Sequence, residues 1–206
     1  MYEREVYKMN RKILIVLMLI FYQSYIGAHE LTLSQRKEIK DYKKKYEEKV
    51  SSNEAKFDLA ICYAYSGLIQ KGWDLLKTIP KEHADDVLRK YELLISKQPN
   101  KWKYHFKLGF AHYFKNRKKE AILSFEKALQ LEPNHPWILG FIALVYGDLG
   151  SIDKSIDICK RSLQIEYNAP GIHFLLGEAY RRKGKYFAFA KEMLIVSSIK
   201  ASEDHH

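Results

Sequence analysis

Three segments of this chain, opening at Trp102, Pro136 and Pro170, carry one pattern of large and small residues at a 34-residue spacing. In the first segment the pattern is Leu108, Gly109, His112, Asn116, Ala121, Phe125, Ala128 and Pro133. The same offsets give Ile142, Ala143, Tyr146, Gly150, Ser155, Cys159 and Ser162 in the second, and Leu176, Gly177, Tyr180, Gly184, Phe189, Met193 and Val196 in the third. A unit this short cannot enclose a core of its own, so neighbouring units must cover one another's apolar faces. That restricts the fold to a stack.

Each position in the pattern has a physical role. A small residue at Gly109, Ala143 and Gly177 lets one helix of the unit approach a neighbouring backbone, and the bulky residue before it fills the adjoining space. Asn116, Gly150 and Gly184 fall where that helix must stop, a position that favours left-handed backbone geometry. Ala121 and Ala128 share a face of the second helix with Phe125, whose ring plugs the gap the small residues leave. Pro133 ends that helix, and Pro136 opens the next where a missing N–H is harmless. In the third unit Phe189 stands at a usually small position between Ala188 and Ala190, which predicts local repacking or a one-residue drift.

On these residues the pattern resembles the tetratricopeptide repeat, a pair of antiparallel helices that stacks into a right-handed superhelix. The resemblance implies an all-α solenoid over residues 53–200, with units at 102–135, 136–169 and 170–200. A fourth, degenerate hairpin is expected from Glu54 to Ile79, with Leu59, Ala60, Tyr63, Gly67, Gly72 and Leu76 at corresponding offsets. Its register breaks before Trp102, and the surplus over residues 53–101 is a helix from about Ala84 to Lys97, ending at Pro99. That helix is either an addition or the second helix of a divergent repeat.

In tetratricopeptide proteins the first helix of each unit lines an inner groove at its second, fifth, ninth and twelfth residues. Here the resemblance implies Lys103, Phe106, Phe110 and Tyr113, then Trp137, Gly140, Leu144 and Gly147, then Gly171, Phe174, Glu178 and Arg181, with Phe57, Ile61 and Ala64 from the degenerate hairpin. An aromatic groove of this kind suits an apolar extended segment or helix of a protein partner. The Asn and Lys pattern with which some members grip a carboxylate is absent. The same aromatics fit equally well against a neighbouring helix, or against the segment Ser34 to Lys49 folded into the groove.

That segment, within the lead-in 29–52, has Ile39, Tyr42, Tyr46 and Val50 as a narrow apolar stripe at helical spacing. It reads as a helix against the first hairpin or as a solvated spacer beside a membrane. Ahead of it, Arg11 and Lys12 precede the apolar run Ile13 to Tyr22, and the segment closes at Ile26, Gly27, Ala28. This predicts a secretory signal peptide over residues 1–28 cut after Ala28, or the same stretch retained as a membrane anchor, with Met1 or Met9 as the start. The run is short for a span, which takes about 20 residues. The chain is therefore expected at the cell envelope or outside, in contact with membrane only through this segment.

The formal net charge is +10, and removing residues 1–28 leaves the chain basic. Lys115, Arg117, Lys118 and Lys119 cluster at the turn of the first unit, and Arg181, Arg182, Lys183 and Lys185 at the turn of the third. They form either a discontinuous basic rim for anionic lipid or polymer, or a set of solvated turn residues. Nucleic acid fits poorly with export. Cys62 and Cys159 fall on helices of different hairpins and read as small buried hydrophobes rather than a bridge.

The last helix carries Tyr186, Phe187, Phe189, Met193, Leu194, Ile195, Val196 and Ile199 close to a short tail, 201–206. Solenoids finish on a polar outer face, so this face is expected to dock against a second copy or another protein. No nucleophile elbow, phosphate-binding glycine loop or pair of metal-ligating histidines on one helical turn is present in the sequence, so no enzymatic activity, metal or cofactor is expected. The function expected is a protein-binding scaffold at the envelope. The alternative is a basic structural protein that holds anionic polymer or lipid through the rim.

Overall fold

A computed structural model describes residues 31–49 and 52–203. The expected signal or anchor segment over 1–28 lies outside the described residues. Ten helices are described: α1 (Leu33–Glu48), α2 (Asn53–Tyr65), α3 (Ile69–Leu76), α4 (His83–Lys97), α5 (Trp102–Phe114), α6 (Lys118–Leu131), α7 (Pro136–Asp148), α8 (Ile152–Ile165), α9 (Pro170–Arg182) and α10 (Tyr186–Glu203). No strand occurs among the described residues. The fold is an all-α solenoid of helical hairpins, and α10 runs on into the stretch expected as a tail.

The repeat pattern acts as its chemistry dictates. Asn116, Gly67, Gly150 and Gly184 all have φ between 58° and 83°. At each of them the following N–H reaches back five residues, as in Arg117 N–H to the His112 carbonyl (2.9 Å), Ser151 to Tyr146 (3.0 Å) and Lys185 to Tyr180 (2.9 Å). This closure caps the first helix and reverses the chain. A Cβ on Gly109 would stand 2.6 Å from the Phe125 ring, and one on Gly177 would stand 2.6 Å from the Met193 methyl. The small position and the plug therefore meet as expected, with Met193 filling the third unit while Phe189 stays half-buried.

Hairpins α2/α3, α5/α6, α7/α8 and α9/α10 pack internally, and α4, α6 and α8 each pack on the helix that follows. The register of α4 resolves the two options for residues 80–101. Helices α4, α6 and α8 end at Lys97, Leu131 and Ile165, one repeat length apart. His105 Nε2 donates to the Pro99 carbonyl (2.7 Å) and His173 Nε2 donates to the Tyr167 carbonyl (2.9 Å), the same contact one repeat-pair apart. Helix α4 is thus a second helix in register with α6. Among the described residues it has no first helix of its own, and it packs on α5 while touching α2.

Hairpin α2/α3 has the internal geometry of a repeat but not its place in the array. Tyr65, at the end of α2, packs edge-on against Trp102 and Phe106 at the start of α5, with ring centroids 5.3 and 6.0 Å apart. Asp58, near the start of α2, meets Lys107 in the middle of α5. Helix α2 therefore runs antiparallel to α5, whereas successive first helices of a regular stack run parallel. Helix α1, started by a Thr32 and Gln35 capping box, lies on α2 through Ile39, which is buried.

Candidate functional site

The aromatic groove expected from the sequence is largely closed. Phe106, Phe110, Phe125 and Phe141 form one buried cluster with centroids 4.7 to 6.1 Å apart. Phe57, Ile61, Ala64 and Trp137 are also buried. The expectation that these residues face a partner is corrected: α2 lies along α5 and covers its aromatic face with Tyr65, while Phe141 of α7 closes the other side. Gly140 is consumed in a similar way, because the Ile172 side chain of α9 occupies the place a Cβ would take. Gly171 is buried too.

Lys103 is engaged within the chain. Its ammonium donates to Glu38 of α1 and sits over the rings of Tyr65 (5.0 Å) and Trp102 (5.5 Å). Glu38 also accepts from the Tyr65 hydroxyl (2.9 Å). The lead-in helix is thus folded onto the first hairpin rather than standing off as a spacer.

The remaining expected positions stay partly open. Tyr113, Leu144, Gly147, Phe174, Glu178 and Arg181 are half-buried along α5, α7 and α9. The Tyr113 hydroxyl donates to Asp148 Oδ2 (2.6 Å). Arg181 grips the Glu178 carboxylate through Nε (2.7 Å) and an Nη (2.6 Å), and Arg182 adds a bond of 2.9 Å. Burial alone raises the Glu178 pKa, but the two guanidiniums outweigh it and hold the carboxylate below its usual range. The open face is therefore apolar at Leu144 and Phe174 and carries a fixed charge pair beyond them.

The basic rim is stitched to acidic partners on neighbouring units. Lys115 donates to Asp85 (2.8 Å), Lys118 to the Asp148 carbonyl (3.2 Å), Lys183 to Asp153, and Arg182 to the Gly147 carbonyl (3.2 Å) as well as to Glu178. Asp85 and Asp153 hold equivalent places in α4 and α8, and each meets the lysine at the next turn. Arg117, Lys119 and Lys185 are exposed. Much of the rim's charge is spent in bridging units.

A polar clamp that the groove pattern does not predict joins α1, α2, α4 and α5. Lys107, 3% exposed, donates to Asp58 Oδ1 (2.5 Å) and to the Tyr42 hydroxyl (3.4 Å). Tyr91 donates to the same Asp58 oxygen (2.6 Å), and Lys90 lies 2.5 Å from Glu54 and 3.5 Å from Asp58. A signal existed: Asp58 and Lys107 each interrupt an apolar run at the same offset from the start of their helix, with opposite charge. Among the described residues no group of His, Cys, Asp and Glu is arranged to hold a metal ion, and no helix is long and apolar enough to cross a membrane.

The final helix divides along its length. Met193, Val196 and Ile199 are buried against the array, whereas Phe187 (97% exposed), Leu194 (71%) and Tyr186 (57%) face outward. The uncovered face is narrower than the sequence suggests, since several of its apolar residues close the last hairpin. Cys62 and Cys159 are buried and free, as expected. Burial pushes the Cys62 thiol pKa up to about 11 and that of Cys159 up to about 12.

Residues 102–135 match the model of the tetratricopeptide repeat. A crystal structure of MamA is similar at a TM-score of 0.56 and 18% identity, covering 82% of this chain and 90% of that one. MamA 41-end from Desulfovibrio magneticus RS-1 is similar at 0.53 and 16%, covering 84% and 89%. TTC0263, a thermophilic TPR protein in Thermus thermophilus, is similar at 0.51 and 19%, covering 80% of each chain. At these identities the likeness is one of fold. No curated protein sequence matches the chain.

Proposed function

We propose that this chain, a tetratricopeptide-repeat solenoid in fold, is a non-catalytic scaffold at the cell envelope that holds a segment of a partner protein on the inner face of α7 and α9. Tetratricopeptide folds generally mediate protein–protein interaction, and their stacked hairpins create a concave surface suited to that role. One observation carries the reading: of the positions implied to line the groove, Leu144, Phe174, Glu178 and Arg181 on α7 and α9 remain partly open, while Phe57, Ile61, Phe106, Phe110 and Trp137 are buried within the chain. Leu144 and Phe174 supply apolar contact, and the Arg181–Glu178 pair beyond them fixes the direction in which a segment lies. Tyr113 borders this surface at the α5 end.

The test is affinity capture from the native cell envelope with the full chain and with Leu144→Glu. Loss of a defined partner with the variant, and its retention with Lys119→Glu on the rim, supports the reading. Retention by both removes the inner face from consideration. Capture that survives raised salt points the same way, because rim binding to an anionic polymer weakens steeply as charges are screened. Envelope location is part of the proposal and rests on the basic flank and apolar run ahead of Ala28. Recovery of the natural protein wholly in the cytosolic fraction contradicts it. Self-association through Tyr186, Phe187 and Leu194 also belongs to this reading. It predicts that Phe187→Ser plus Leu194→Ser lowers the mass seen by light scattering.

A further inference from the structure

The irregular start of the array leaves a second recess, unrelated to the inner face. Regular second helices α6, α8 and α10 each pack against the thirteen-residue first helix of their own unit. Helix α4 has no such partner among the described residues, because the eight-residue α3 pairs with α2 instead. A cleft of about 290 Å³ opens between α2, α3, α4 and α5 as a result. Its floor is Phe57, Leu76, Ala84, Val87 and Ala111, all buried, and Trp73 stacks on Phe114 along one wall at a centroid distance of 6.3 Å.

The lip has a different chemistry. Lys77 and Lys81 are exposed at the entrance, and His83 stands between lip and floor. Lys77 is only 3.5 Å from the exposed Asp74, and Lys81 has no ion-pair partner among the described residues. The His83 Nδ1 lies 3.4 Å from Asp86, whereas its buried Nε2 has no hydrogen-bond partner. A buried polar atom without a partner carries a free-energy cost, which a ligand that bonds to it removes. The cleft therefore offers a closed apolar floor, two cations at its mouth and one unsatisfied nitrogen where the two meet.

We propose that this cleft binds a medium-chain fatty acid, with the chain on the Phe57, Leu76 and Val87 floor beside His83 and the carboxylate held by Lys77 and Lys81. The volume falls just below the range of about 300–1,000 Å³ for drug-sized sites. It admits one short acyl chain and excludes a two-chain lipid. An alcohol of the same length would leave the lip cations unmet, so the acid is preferred.

The experiment is titration calorimetry of the full chain with decanoate and with decanol, paired with quenching of tryptophan emission by a chain-brominated decanoate. The expected result is saturable one-to-one binding of decanoate, at least about tenfold tighter than decanol, as two charge-assisted bonds imply. The variant Lys77→Glu plus Lys81→Glu, confined to the exposed lip, should bind decanoate at least about tenfold more weakly with an unchanged helical spectrum. Trp73→Phe should abolish the quenching while binding persists. Absence of saturable binding, equal affinity for acid and alcohol, equal affinity in the lip variant, or quenching that survives Trp73→Phe would each overturn the proposal.

Discussion

The Lys107 ammonium stands 2.5 Å from Asp58 Oδ1 and is almost wholly removed from solvent. The two partners feel this pairing unequally. Burial by itself raises the Asp58 pKa, but the charge and hydrogen bond of Lys107, the Tyr91 hydroxyl and Lys90 hold it below the usual carboxylate range. For the more deeply buried Lys107 the order reverses: burial pushes its pKa down, and Asp58 opposes that without cancelling it. The pair is a fastening between α2 and α5 that breaks badly when halved.

Removing one partner strands a charge, so Lys107→Met is expected to cost about 3–5 kcal/mol of folding stability. Asp58→Leu together with Lys107→Met should recover most of that loss, since two apolar side chains replace two buried charges. Urea unfolding of the three proteins measures this. A single variant within about 1 kcal/mol of the parent, the usual scale of an exposed pair, would show that the clamp does not hold α2 in place.

Acid should act on the buried histidines before the carboxylates, His135 among them. Burial, and then the charge of Lys103, push its pKa down to about 4 from 6.5. The folded chain binds fewer protons than the unfolded one in that window. This contribution to stability is therefore complete above pH 6.5 and is lost as pH falls from there toward 4. His135→Phe should flatten the dependence of the urea midpoint on pH over this window, without altering the steeper loss at lower pH where Asp58 becomes protonated. An identical profile for the variant would place the titration elsewhere.

Both thiols should be silent in the folded state. Cys62 and Cys159 have no accessible surface, and their raised pKa values leave little thiolate at neutral pH. Labelling with a maleimide should be slow in buffer and rapid in denaturant for both. Fast labelling of Cys62 alone in buffer would show α1 lifting from α2.

What the sequence reveals here follows from how local each cause is. Asn116, Gly150 and Gly184 are legible because their bonds reach back only five residues, and the meeting of Gly109 with Phe125 because it lies within one hairpin. The direction of α2 is set by Tyr65 on Trp102 and Asp58 on Lys107, contacts between distant segments that no periodicity encodes. Phe106 and Phe110 hold the offsets of groove residues, yet Phe125 and Phe141 enclose both, and Tyr65 of the reversed helix covers Phe106, so they become core. The register of α4 lies between these cases. His105 and His173 share one repeat position, as Pro99 and Tyr167 do six residues earlier, but that each histidine bonds back to that carbonyl is seen only in the folded chain.

The central claim is that a partner protein lies on the inner face of α7 and α9, and site-specific photo-crosslinking in the native cell tests it most directly. A benzophenone amino acid at Leu144 should give one discrete adduct with a second protein, and the same probe at Leu123, 65% exposed on α6, should give none. No adduct at Leu144, or the same adduct from both positions, would contradict the account.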